Sequence, residues 1–148
     1  SFIDKLCRHP YIINTSRGDV ADNDALLRAM KDGKVKDAVV DTWENEPNIN
    51  RELLNNVYIG TPHIAGYSAE GKINADNMSI DGLCRFFGIA NKYRIEPPSL
   101  PSDFHPEGTD EDIALQLYNP LNDSEKLKNS PEMFEEIRGN YPLRLEKC

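Results

Sequence analysis

Tyr11-Ile12-Ile13-Asn14-Thr15-Ser16-Arg17-Gly18, followed after a helix-length interval by Ala38-Val39-Val40-Asp41, decides the fold. Each stretch is a short apolar, β-branched run that stops at polar turn residues, which reads as a buried strand. Between them, Asp22 is placed to cap a helix whose apolar face is Leu26, Leu27 and Met30, and Gly33 can close it. Strand, helix, strand with so long a connection implies a right-handed parallel crossover.

Outward from this unit, a short helical stretch around residues 50–54 precedes Val57-Tyr58-Ile59, a third strand. Residues 1–62 therefore read as part of a doubly wound α/β sheet. Three strands with one certain helix leave an open edge and an uncovered face. Ser68 can cap a long helix running to about Phe87, with Gly88 as its stop. Ile73, Asn77, Ile80, Cys84 and Phe87 fall on one face of that helix.

Residues 94–112 contain Pro97, Pro98, Pro101, Pro106 and Gly108, a breaker-rich connector. Beyond it the alternation of Ile113, Leu115 and Leu117 predicts a half-buried strand ending at Asn119-Pro120. Ser130-Pro131 begins a helix whose apolar face is Phe134 and Ile137, ending at Gly139. So small a tail cannot hold a core alone and must dock on something larger.

The bulk composition narrows the function. With 148 residues, 39% hydrophobic and 28% charged, the chain has globular composition, and no apolar run reaches membrane-spanning length. No stretch reads as a leader, so the expected location is cytoplasmic. A net charge of −8 argues against a nucleic-acid surface. Cys7, Cys84 and Cys148 form no close pair and read as reduced thiols, while His9, His63 and His105 lack metal-ligand spacing, so no metal site is expected.

Arg17, Glu46 and His63 each follow the carboxyl end of one of the three strands, the edge where open α/β sheets bind ligands. Arg17 carries a planar fork suited to a carboxylate, and the adjoining Gly18 permits a tight backbone and close ligand approach. The plainer alternative is an exposed surface arginine. His63, aimed by Pro62, can exchange a proton with a substrate hydroxyl near neutral pH. Glu46 can orient it and fix its tautomer, although Glu44 is an equal partner on sequence grounds. Asp41 reads as a cap or turn acceptor. No nucleophile elbow and no G-x-G-x-x-G occur in the chain.

Ile13-Asn14-Thr15-Ser16-Arg17-Gly18, Val40-Asp41-Thr42-Trp43 with Glu46-Pro47, and Thr61-Pro62-His63-Ile64-Ala65-Gly66 together resemble the D-2-hydroxyacid dehydrogenase family in order, spacing and identity. The resemblance implies that Arg17 holds the substrate carboxylate and polarises the reacting carbonyl. It further implies that His63 exchanges the hydroxyl proton, that Glu46 supports His63, and that Asp41 contacts the nicotinamide of NAD. Tyr67-Ser68 with Gly71-Lys72, Leu117-Tyr118-Asn119-Pro120 and the run from Asn140 to Arg144 are similar to one branch of that family. That branch serves pyridoxal phosphate biosynthesis, acts on a small phosphorylated 2-hydroxy acid and carries a carboxyl-terminal dimerisation segment.

The expectation is thus an α/β chain with a partial doubly wound, Rossmann-type parallel sheet. Residues 1–66 would be the carboxyl-terminal half of an NAD-binding domain, 67–93 a long helix returning toward a substrate domain, and 94–148 a small α+β dimerisation segment. The expected partners are the phosphorylated substrate and a second copy of the chain. Arg138 and Arg144 stand out in an acidic tail, and a dimerisation arm could present one of them to the phosphate in the neighbouring subunit's active site. Two other readings compete: a dehydrogenase of the phosphoglycerate or 2-ketoacid type, and a non-catalytic dimerisation or corepressor-like module.

Overall fold

The computed structural model describes residues 2–6, 8–142 and 144–145. Cys7, Cys148 and Leu143, on which the thiol and tail readings partly rest, lie outside them. The chain divides into two compact units: the described residues of Ser1–Ala65 with Pro120–Tyr141, and those of Gly66–Asn119 with the residues after Tyr141.

The first unit holds β1 (Tyr11–Asn14), α1 (Asn23–Lys31), β2 (Asp37–Val40), α2 (Arg51–Asn56) and β3 (Ile59–Gly60). The sheet is wholly parallel in the order β1-β2-β3, with Tyr11 opposite Asp37 and Val40 opposite Gly60. Asp22 caps α1 by accepting from Ala25 N, and Gly33 closes it in a left-handed conformation, φ +69°. α1 then packs Ala25, Leu26, Leu27 and Ala29 beneath the sheet, where Ala38 and Val40 meet them.

Two details depart from the sequence reading. β1 is not buried on both sides: Tyr11 and Ile13 are 62% and 70% exposed. β1 lies at the sheet edge, and only the face bearing Ile12 and Asn14 turns inward. The third strand begins at Ile59 rather than Val57, because Val57 ends α2 through its N–H bond to Leu53 O.

The tail of this unit is helical: α5 (Pro120–Asn129), a 3-10 turn (Pro131–Met133) and α6 (Phe134–Gly139). It docks as its size requires, with Leu127, Phe134 and Ile137 in one buried cluster with Leu26, Leu53, Leu54 and Trp43. Phe134 is only 1% exposed. Phe134→Ala is accordingly expected to cost about 3–5 kcal/mol, read as a lowered urea midpoint. A shift within error would mean that the tail does not share the core.

In the second unit Ser68 accepts from Gly71 N to start α3 (Ala69–Phe87), and Gly88, at φ +64°, stops it. Asn77 straps the following connector to the helix, donating to Ile95 O (2.8 Å) and accepting from Ile95 N (2.9 Å). Of the expected apolar face, Asn77 is buried and Ile73, Ile80 and Cys84 half-buried, whereas Phe87 is exposed. Cys84 is a free thiol.

The strand expected at Ile113–Leu117 is instead helix α4 (Asp110–Leu117). Thr109 and Asp112 form a reciprocal capping box and Asp110, Glu111 and Asp112 crowd the first turn, so the helix start is specified locally. Among its described residues the final segment therefore holds helices where α+β was expected, apart from one parallel bridge between Ser68 and Arg144.

The cap also sets a pH response. Thr109 N–H, and after it the Thr109 hydroxyl, hold the Asp112 carboxyl below its ordinary range. A carboxyl depressed in the folded state stabilises above its unfolded value, and that contribution disappears as pH falls through the folded one. Thr109→Val is expected to move the Asp112 midpoint partway back up in a carboxyl NMR titration. Among the described residues no helix is long and apolar enough to cross a membrane.

Candidate active site

Three loops leave the carboxyl ends of β1, β2 and β3, and a parallel sheet brings them to one edge. Their residues Arg17, Gly18, Trp43, Glu46 and His63 line one cleft of about 310 Å³. That is the lower end of the size range of small-molecule sites.

The β3 loop is built on Asp41. Its Oδ1 accepts from Thr61 Oγ1 (2.7 Å) and Ile64 N (2.8 Å), and its Oδ2 from Ala65 N (3.1 Å). Its carbonyl accepts from His63 N (2.8 Å). These bonds hold His63 in a left-handed conformation, φ +57°, rare for a side chain with Cβ and sustained only where the surroundings over-determine it. Asp41 is thus the turn acceptor that its place at a strand end suggested.

His63 Nδ1 lies 2.8 Å from Glu46 Oε2, with the two side chains 24% and 19% exposed. The other Glu46 oxygen accepts from Trp43 N (2.8 Å), so the carboxylate is anchored before it meets the ring. This assigns the Nδ1 proton a partner and leaves Nε2 as the nitrogen for a ligand. Glu44 is not the partner: its Oε2 accepts from Asn23 N (2.8 Å) at the start of α1.

Arg17 is exposed and donates through Nη1 to Ser16 O (2.7 Å). Its backbone is fixed from below by Asn14, a buried residue that sequence reasoning did not single out. Asn14 Nδ2 donates to Arg17 O (3.1 Å) and Thr42 O (3.3 Å), while Oδ1 accepts from Ser16 N (3.2 Å). The only available signal was a polar residue inside an apolar strand.

Gly18 is required by the tight backbone expected there. A Cβ there would lie 2.0 Å from Trp43 O, so the β1 and β2 loops touch backbone to backbone. Trp43 also donates Nε1 to Thr61 O (2.9 Å), linking the β2 loop to the third.

Arg138 falls in the last turn of α6, and the Arg144 guanidinium stacks 4.1 Å from the Tyr118 ring in the other unit.

A parallel α/β edge carrying an arginine, and a histidine paired to a glutamate, defines the class. Residues 1–65 match the family described as D-isomer specific 2-hydroxyacid dehydrogenase, NAD binding domain. Over those residues the chain is similar to the D-2-hydroxyacid dehydrogenase family. The chain is 53% identical over 147 residues to erythronate-4-phosphate dehydrogenase of Bacteroides thetaiotaomicron, covering 99% of this chain and 42% of that protein. The protein of the same name from Bacteroides fragilis strain ATCC 25285 is 51% identical over 146 residues, with the same coverages. That of Marinobacter nauticus is 36% identical over 152 residues, covering 91% of this chain and 40% of its own length. The chain thus spans about two fifths of the length of these relatives.

The cofactor of the matched domain is NAD. Asp41, which the resemblance implies meets the nicotinamide, is 2% exposed, and its Oδ2 accepts from Ala65 N. The glycine-rich turn that would cradle the diphosphate does not occur in the sequence.

Proposed function

We propose that this chain supplies the acid/base and carboxylate-binding wall of an NAD-dependent dehydrogenase. Its substrate is 4-phosphoerythronate, oxidised at C2 to the 2-oxo acid in pyridoxal phosphate biosynthesis. The observation that carries the reading is the Glu46–His63 pair at 2.8 Å in a cleft shared with Arg17.

The Arg17 guanidinium grips the substrate carboxylate and polarises the C2 oxygen as it becomes a carbonyl. His63 Nε2 takes the C2 hydroxyl proton, and Glu46, hydrogen-bonded to Nδ1, stabilises the imidazolium that forms. What NAD supplies when bound is the acceptor for the hydride that leaves C2. Asp41 serves twice, as organiser of the His63 turn and as acceptor for the carboxamide.

The reading includes a cytoplasmic homodimer. Its dimerisation element is the segment 94–148, while the exposed Met78, Leu83, Phe86 and Phe87 lie on α3, the helix expected to return toward a substrate domain.

The test is a chimaera in which this chain replaces the matching segment of the Bacteroides thetaiotaomicron relative. It is expected to reduce NAD with 4-phosphoerythronate, while the 148 residues alone give no turnover. Faster oxidation of 3-phosphoglycerate or an unphosphorylated 2-hydroxy acid by the folded chimaera would overturn the substrate assignment.

A further inference from the structure

Gly60 precedes His63 by three positions, and its N–H donates to a group outside the sheet. Val40 O accepts instead from the next residue, Thr61 N (3.0 Å). Gly60 N donates to Ser124 Oγ (2.9 Å), 64 residues further along on α5. Ser124 is 3% exposed, so the bond is shielded from bulk solvent. A hydroxyl from a carboxyl-terminal helix thus occupies the place of a neighbouring strand.

The segment from Gly60 to His63 has little freedom beyond that bond. A Cβ on Gly60 would meet Leu54 Cδ1 at 2.6 Å and the Trp43 ring at 3.0 Å, so the backbone is seated against both. Thr61 O accepts from Trp43 Nε1, and Thr61 Oγ1 donates to Asp41. Pro62 is fully buried and has a fixed φ. His63 then takes its left-handed turn with its N–H on Asp41 O. A displacement at Gly60 has no loop to absorb it before it reaches the imidazole.

We propose that Ser124 is a positioning residue for His63: its hydroxyl fixes the start of the short rigid segment that ends in the acid/base. This rests on the dehydrogenase reading for its effect on rate, but the geometry it describes stands apart from that reading. It also gives α5 a part in the active site that a purely associative tail would lack. Alanine at 124 leaves the Gly60 N–H buried without an acceptor. The segment then shifts to find one, and the His63–Glu46 contact loosens.

Two measurements test it. In the 148-residue chain, Ser124→Ala is expected to speed amide exchange at Gly60 and His63 by about tenfold or more, while the amide of Asp41, bonded to Asn14 O in β1, keeps its protection. In the chimaera, Ser124→Ala is expected to lower kcat about tenfold with KM within about twofold. Ser124→Thr, which keeps the acceptor, is expected to restore most of the rate. A merely structural role would lower the amount of folded enzyme without that split and without rescue.

Unchanged kcat in folded Ser124→Ala, or unchanged exchange at His63, overturns the proposal. Should the alanine variant not accumulate, Ser124→Cys keeps a similar volume with a weak acceptor. It is expected to show an intermediate loss, and full activity would overturn the proposal equally. An unmutated chimaera that folds yet oxidises no 2-hydroxy acid counts against the dehydrogenase reading alone, since the exchange measurement still tests the Ser124 link.

Discussion

His63→Asn in the chimaeric enzyme lowers kcat by about 10²–10⁴-fold, the range for loss of a positioned general acid or base, and leaves KM for the acid nearly unchanged. The split follows from geometry. Nδ1 is engaged by Glu46 and the backbone N–H by Asp41, so the ring meets the substrate only through Nε2. That contact gains most as the hydroxyl proton departs, and so it acts on the transition state more than on binding.

Glu46→Gln tests the second link. Glutamine keeps the length and can still accept from Trp43 N, yet it cannot stabilise an imidazolium by charge. The expected loss is about 10–100-fold, as for other carboxylates that orient a histidine. A histidine variant retaining more than about a tenth of the wild-type kcat across the pH range would remove His63 from proton transfer.

What the sequence made legible was whatever is specified by neighbours in the chain. Asp22 and Ser68 are caps because their side chains reach an N–H three residues on, and Gly33 and Gly88 are stops because each takes a left-handed conformation. The placement of Arg17, Glu46 and His63 at successive strand ends was equally legible, since parallel strands send their carboxyl ends to one edge.

The misreading at Ile113–Leu117 has a local cause. Ile113 and Leu117 are spaced by four, which fits a helix as well as the alternation fits a strand, and the Thr109–Asp112 box decides between them. Other features lay out of reach because they join distant positions. The tie between Glu44 and Glu46 is broken only when α1 presents Asn23 N to Glu44. Asn14 on Thr42 O, Trp43 on Thr61 O and Ser124 on Gly60 N have no signature in any window of sequence.

The second large effect is at Arg17, where the chimaera carrying Arg17→Lys is expected to lose about 10²–10³ in kcat/KM, comparable to removing one donor to a developing oxyanion. The side chain is exposed and donates to the adjacent Ser16 O. Such a position costs within about 0.5 kcal/mol when substituted, so the melting temperature stays put while turnover falls. The shape of the loop survives as well, because Asn14 holds it through backbone atoms that lysine leaves in place. Lysine keeps the charge but presents a single ammonium where the planar fork addresses a carboxylate and the C2 oxygen together. KM therefore rises and kcat falls in the same variant, unlike the histidine change. Arg17→Ala goes further in the same direction, and added guanidinium ion is expected to restore part of its rate. A lysine variant with unaltered kcat/KM would mean that the carboxylate is held elsewhere, and the cleft between the β1 and β3 loops would lose its claim to the substrate.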